Sequence, residues 1–200
     1  MNYSERYIAI VANLDPQRGG SPHDVAEAIR KNGLIADSLL PFTETVDSVE
    51  KYYSPDPMEE QYLSIGKDFL HQYDFKHEWV ATDKHDPKET AERMKKALRT
   101  SPLGVSVQAW TERNGIYVKE QGTPDNHWVV CVGYDDDYPL IFDSYPPYFK
   151  KLMPFYDFGF AKRYLIQKVA DQSIKPLTPW RTIQVKLLQL LSPRSCSSRF

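Results

Sequence analysis

The hydrophobic period of this chain changes once, at Ser101-Pro102, and that change limits the fold more than any other feature of the sequence. Upstream of it apolar residues recur at helical spacing; downstream they alternate, as strands half-buried against a core do. In the upstream half, Ser21 can cap a helix, Pro22 suits its first turn, Asp24 sits at the third position and Gly33 can take the left-handed stop. A helix is therefore expected over 22–32, with Val25, Ala26 and Ile29 facing inward and Glu27, Arg30 and Lys31 facing water. Asp86-Pro87-Lys88-Glu89 repeats the cap, and Ala91, Met94 and Leu98 predict a second amphipathic helix to about Arg99. Between the two, Tyr62, Ile65, Phe69 and Tyr73 have helical spacing from Met58 to about Tyr73. Residues 4–12 read as the end of a short helix or an extended piece, and 34–57, with Pro41, Pro55 and Pro57, as an irregular surface segment.

After the break, Gly104 to Trp110 alternates like a half-buried strand, Ile116-Tyr117-Val118 is a short one, 127–134 a third, and Tyr164-Leu165-Ile166 closes the sheet. Helices first and antiparallel strands second indicate an α+β architecture. With 200 residues, 41% of them hydrophobic and 13% aromatic, the chain can bury one sizeable core. Residues 1–169 are expected as one domain. From about Ala170 the composition shifts, and Pro176, Pro179 and Pro193 flank a run over 181–191 that reads as a short docking helix in a tail, 170–200.

A formal net charge of −2, from 25 basic and 27 acidic residues spread along the chain, offers no electrostatic footprint for nucleic acid or an anionic membrane. No stretch approaches the ~20 apolar residues of a membrane helix. The start, Met1 to Arg6, lacks the apolar core of a signal peptide, which bears on the compartment only if Met1 is the true start. Cys131 and Cys196 make neither a disulfide framework nor a metal-site spacing, and nothing points to a cofactor.

The chemistry concentrates in residues 126–145. His127 opens an apolar strand directly after Asn126 and a loop, Asp135-Asp136-Asp137 is a solvated turn, and Asp143 ends the second strand. In such a hairpin the His and the Asp lie side by side. A lone histidine is more often a surface or satisfied residue, but an imidazole beside a carboxylate is the base and orienter of a nucleophilic hydrolase. His23, His71, His77 and His85 have no partner of matching spacing and read as surface residues. The nucleophile is harder to find. Cys131, four residues along an extended strand, stands ~13 Å from His127 at about 3.3 Å per residue, so it reads as a core cysteine. Cys196 has no scaffold, and no Gly-x-Ser-x-Gly elbow exists.

The segments Leu103-Gly104-Val105-Ser106-Val107, Gly115-Ile116-Tyr117, Asn126-His127, Val132-Gly133-Tyr134 and Ile141-Phe142-Asp143-Ser144-Tyr145 resemble, in order and spacing, the second half of the papain-like cysteine peptidases. Upstream, Ser4-Glu5-Arg6-Tyr7 is similar to that family's Ser-Glu-Gln segment and Gly19-Gly20 to the glycine pair lining its substrate cleft. The resemblance covers about residues 4–168. It implies a papain-like fold with an incomplete helical part and an antiparallel sheet, and peptide or protein substrates. It makes His127 the catalytic base and Asp143 the stand-in for the usual asparagine. Tyr145 takes the place of the tryptophan that shields the pair, and Gly19, Gly20, Asn126 and Tyr145 line the substrate site. Two departures matter. The family's nucleophilic cysteine and its oxyanion glutamine would precede Met1, so residues 1–200 alone are expected to be inactive. The closing Asn-Ser-Trp stretch is replaced by Asp143-Ser144-Tyr145-Pro146-Pro147-Tyr148. Three alternatives stay open: a catalytically dead papain-like scaffold, a peptidase of the bacteriocin-processing type, which uses Cys, His and Asp, and a transglutaminase-like acyl transferase.

Overall fold

A computed structural model describes residues 2–15, 17, 20–42, 46, 48–54 and 60–169. The chain divides into two compact units, Met1–Lys168 and Val169–Phe200. Apart from Val169 the second lies outside the described residues, as do the expected tail helix over 181–191, Cys196 and Gly19.

Local chemistry starts the helices where the caps stand. The ambiguous first segment is helical: α1 (Glu5–Val11) is capped by Ser4, whose hydroxyl accepts from the Tyr7 amide and donates to the Leu40 carbonyl at 2.5 Å. In α2 (Pro22–Asn32) the Ser21 hydroxyl accepts from the His23 amide, and Gly33, at φ 74°, closes the end with its N–H on the Ile29 carbonyl. Among the described residues of 34–57 there are a 3-10 turn at Asp37–Leu39 and a short helix, α3 (Val49–Tyr53). In α5 (Pro87–Ala97) the Asp86 carboxylate accepts from the amides of Lys88 and Glu89, and Ala91 and Met94 face the core.

The helix expected from Met58 to about Tyr73 is α4 (Glu60–Gln72), which turns Phe69 inward and leaves Ile65 outward. Gly66, not Ile65, meets the neighbouring helix. Tyr73 instead opens a strand that the helical spacing masks, β1 (Tyr73–Ala81), whose Phe75 is buried while Asp74, Lys76 and Glu78 face water.

The remaining strands are β2 (Leu103–Val107), β3 (Thr111–Arg113), β4 (Ile116–Val118), β5 (His127–Asp135), β6 (Tyr138–Phe142), β7 (Phe149–Lys151) and β8 (Ala161–Lys168). Six form one antiparallel sheet in the order β1-β8-β2-β5-β6-β7, and β3 pairs with β4 across an Asn114-Gly115 turn with both residues at positive φ. Strand β2 ends earlier than its alternation suggests and is buried at every residue rather than half-buried, because it is central and covered on both faces. On one face Leu103, Val105 and Val107 pack with Val129, Cys131 and Ile141 against Met94 and Ala97 of α5. On the other, the β1–β8 end meets the helices, where Phe75 packs with Ala26 and Ile29 of α2 and Phe69 of α4.

The helical layer depends on one close crossing. A Cβ on Gly66 would come within 2.2 Å of the Asn32 carbonyl oxygen and 2.3 Å of the Tyr7 hydroxyl, which itself donates to that carbonyl. Backbone cannot move aside as a flexible side chain can, so Gly66→Ala is expected to cost about 1–3 kcal/mol or more as an overpacking change. Gly115, at φ 80° with nothing within 4 Å of a Cβ, should lose only about 1–2 kcal/mol for the left-handed backbone on change to alanine. Urea midpoints of the two variants, compared at one temperature, check the ranking.

Candidate active site

Strand register brings the two site residues together. His127 begins β5 opposite Val107, and Asp143 directly follows β6. Along the β5–β6 ladder Asp135 faces Tyr138 and Gly133 faces Leu140, but after an irregularity between Cys131 and Gly133 the partners become Cys131–Ile141 and Val130–Phe142. A slip of one residue exchanges the two faces of a strand. Continued past Val130–Phe142, the slipped ladder sets Asp143 beside Val129, on the face that carries His127. The bulge thus decides that the carboxylate meets the ring.

The meeting is close. His127 Nε2 lies 2.8 Å from Asp143 Oδ1, with the ring one-fifth exposed and the carboxylate buried. The second oxygen is also taken: Lys150 Nζ donates to Oδ2 at 2.7 Å and Trp110 Nε1 donates to it at 2.8 Å. Burial by itself would raise the Asp143 pKa, but the bonds from Lys150 and His127 and their positive charge outweigh it and hold the carboxyl well below the usual carboxylate range. An ionised Asp143 can only accept, so the His127 proton sits on Nε2 and Nδ1 is left as the basic nitrogen. Among the described residues Nδ1 has no hydrogen-bond partner.

Aromatic rings flank the imidazole. Tyr145 stands 5.5 Å from it between centroids but is 61% exposed, and Trp110 stands edge-on at 5.9 Å on the half-buried side. Asn126 lies next to the ring in sequence. Its amide donates to the Val107 carbonyl and its Oδ1 accepts from the Ala109 amide, so it ties the loop after β2 to the head of β5. Gly20 is exposed on the loop before α2, where a Cβ would meet the Leu14 side chain, and the contacts around His127 come from other residues.

Trp110 and Lys150 were not expected in the site. Trp110 carried a usable signal, an indole just past a buried strand, since a buried Trp N–H needs an acceptor. Lys150, within Phe149-Lys150-Lys151, reads as solvent-facing. His77, expected on the surface without a partner, has a side chain only 9% exposed and sits 2.8 Å from Glu27. Strand β1, unseen in the sequence, brings it there. Cys131 is fully buried in the sheet core, and burial pushes its thiol up to about 12. Among the described residues no group of three or more His, Cys, Asp or Glu side chains could hold a metal ion, and no helix is long and apolar enough to cross a membrane.

A carboxylate whose folded pKa is depressed stabilises the fold above its unfolded pKa, about 3.9, and that contribution is lost as pH falls from there through the lower folded value. Asp143→Asn leaves the Lys150 ammonium buried without its counter-charge, and should cost about 3–5 kcal/mol at pH 7. The gap to the unaltered protein should narrow steadily as pH drops below about 4. Removing both charges, in D143N/K150M, should recover most of the loss. Urea unfolding at a series of pH values measures all three effects.

No protein-family model matches the chain, and no curated protein sequence matches it. Solved structures do. Xylellain, a cysteine protease from Xylella fastidiosa, aligns with a TM-score of 0.56 at 18% identity, over 84% of this chain and 70% of that one. The bromelain protease from Ananas comosus aligns with a TM-score of 0.53 at 14% identity, over 85% and 79%. The Carica candamarcensis cysteine protease CMS1MS2, solved with E-64, gives 0.51 at 16% identity, over 81% and 76%. Helices packed on an antiparallel sheet are the shared architecture, and the fold of this chain is the α+β fold of the papain-like cysteine proteases.

Proposed function

We propose that His127 and Asp143 are the base and the orienter of a cysteine-type peptidase acting on peptide or protein substrates. The observation that carries this reading is the 2.8 Å contact that engages Nε2 and leaves Nδ1 of a partly exposed ring as its basic nitrogen. In that role Nδ1 takes the proton of a cysteine thiol, the thiolate attacks the substrate carbonyl carbon, and the imidazolium returns the proton to the leaving amine. Asp143 stays ionised throughout and stabilises the charged ring. Tyr145 and Trp110 flank the ring, and Asn126, Gly19 and Gly20 are proposed to line the substrate cleft.

The thiol comes from outside the described residues. Cys131 is excluded by its burial, its raised pKa and its place four residues down the strand from His127. A second surface is open among the described residues. Across the sheet face that α2 covers at the β1 edge, Val130, Phe142 and Phe149 are directly paired neighbours and are 38%, 45% and 69% exposed. Monomers seldom leave such a contiguous apolar row in water. The reading is that the thiol lies outside residues 1–200; the row faces the opposite side of the sheet from His127, so its cover is a separate requirement. The buried state of Cys131 equally favours a second reading, a papain-like scaffold without catalysis.

Peptide cleavage and labelling by an epoxide thiol inhibitor such as E-64 separate these readings. Residues 1–200 alone are expected to show neither. The longest natural polypeptide containing them is expected to show both, with His127→Ala lowering kcat/KM by at least about 10³-fold. His127-dependent cleavage by residues 1–200 alone would place the thiol wrongly. Neither cleavage nor labelling in the longer polypeptide would leave the scaffold.

A further inference from the structure

Lys150 has no place in a purely packing account of this sheet. It lies on β7, an edge strand, opposite Ile141, and turns inward to the core face with 3% of its surface exposed. Its ammonium sits 5.0 Å from the centre of the Trp110 ring and 5.7 Å from that of Tyr117. Apolar residues in place of both Lys150 and Asp143 would fill comparable space without taking charge out of water, and such exchanges of a whole buried ion pair are often neutral or stabilising. An inward charge on an edge strand can serve to prevent edge-to-edge association, but that role needs only a charge and fixes no partner.

Here every donor is assigned. One N–H goes to Asp143 Oδ2, and the others go to the carbonyls of Tyr145 and Pro147, all at 2.7 Å. The three acceptors span one short loop, which the Asp143 amide also closes by donating to the Tyr148 carbonyl. That loop carries both the carboxylate bonded to His127 and the Tyr145 ring beside it. With Lys150 and Trp110 both on Oδ2, only Oδ1 is left to face the imidazole.

We propose that Lys150 is the positioning residue of the His127–Asp143 pair, holding the carboxylate by Oδ2 and its loop by two carbonyls so that Oδ1 fixes the ring. The proposal rests on His127 being the base of the site, and it acts one residue away from the chemistry. In a peptidase, a loosened ring would lose rate more than binding.

Nitrogen NMR of the full 200-residue chain with labelled histidine and lysine tests it at neutral pH. In the unaltered protein His127 is expected as one tautomer, protonated on Nε2, with that proton shifted downfield and slow to exchange. Lys150→Met is expected to keep the sheet amides and lose the slow proton. A folded K150M protein with the original Nε2–H signal would overturn the proposal, since packing alone would then orient the ring. Should K150M fail to fold, the Lys150 Nζ resonance decides: it is expected to shift in His127→Gln through the shared carboxylate, and an unmoved resonance overturns the coupling. Where cleavage is measurable in the longer polypeptide, K150M should lower kcat about 10²-fold with KM unchanged. Absent cleavage would sink the peptidase reading and leave the ring signal as it is, so the two failures are distinguishable.

Discussion

The structure around the candidate site depends on a carboxylate placed where water does not reach it. An ionised Asp143 is tolerated there only because donors replace its hydration, and each donor comes from a different part of the chain. His127 arrives at the head of β5, Trp110 from the segment after β2, and Lys150 from β7. None of the three can reach Asp143 unless its strand is in register, so the order β2-β5-β6-β7 and the charge arrangement depend on each other. The irregularity at Cys131–Gly133 is part of the same constraint. Without that slip Asp143 would fall on the opposite face from the ring.

Where the controlling interaction is local, the sequence was readable. Ser21, Asp86 and Gly33 act within one turn of the helices they cap, and those helices begin and end within two residues of expectation. The failures have the opposite character. Strand β1 exists because it pairs with β8, some ninety residues away, and nothing within Tyr73–Ala81 outweighs the helical spacing that Tyr73 shares with Phe69. Strand β2 looked half-buried because Gly104 and Ser106 are small or polar. In the fold the Trp128 indole covers Gly104, and the Ser106 hydroxyl donates to Asp125, so both faces are closed. In the β3–β4 hairpin β4 stands where expected, over Ile116–Val118, and the partner β3 is a different kind of miss, since Asn114-Gly115 is a strong local turn signal.

The site divides along the same line. A histidine and an aspartate at the outer ends of one hairpin are placed by short-range geometry, and the pair was legible before any coordinate. Their supports were not. Lys150 follows an exposed Phe149 and precedes Lys151, which pairs with Asp135 at the surface, so its alternation alone predicts no buried ammonium. Only the Asp143–Tyr148 loop, with three acceptors converging on one point, explains the lysine. His77 repeats the lesson away from the site, since its partner Glu27 lies on α2 and reaches it through the unexpected strand β1.

Two features of the same strand, one on each face of the sheet, are left open. His127 at the head of β5 offers a basic nitrogen with no partner among the described residues, and Val130, further along β5, belongs to an apolar row that no described residue covers. Taken singly, each has a bland account: a histidine can serve structure alone, and β7, the exposed end of the row, is a short edge strand with Lys151 on it. Taken together, they require a structural histidine that leaves its base unused and an apolar face that gains nothing from exposure. The two lie on opposite faces of the sheet and call for separate answers: cover of the row, by self-association for one, would still leave Lys150 and Trp110 on Asp143 orienting a ring with nothing to act upon, whereas a thiol from outside the described residues would use that ring.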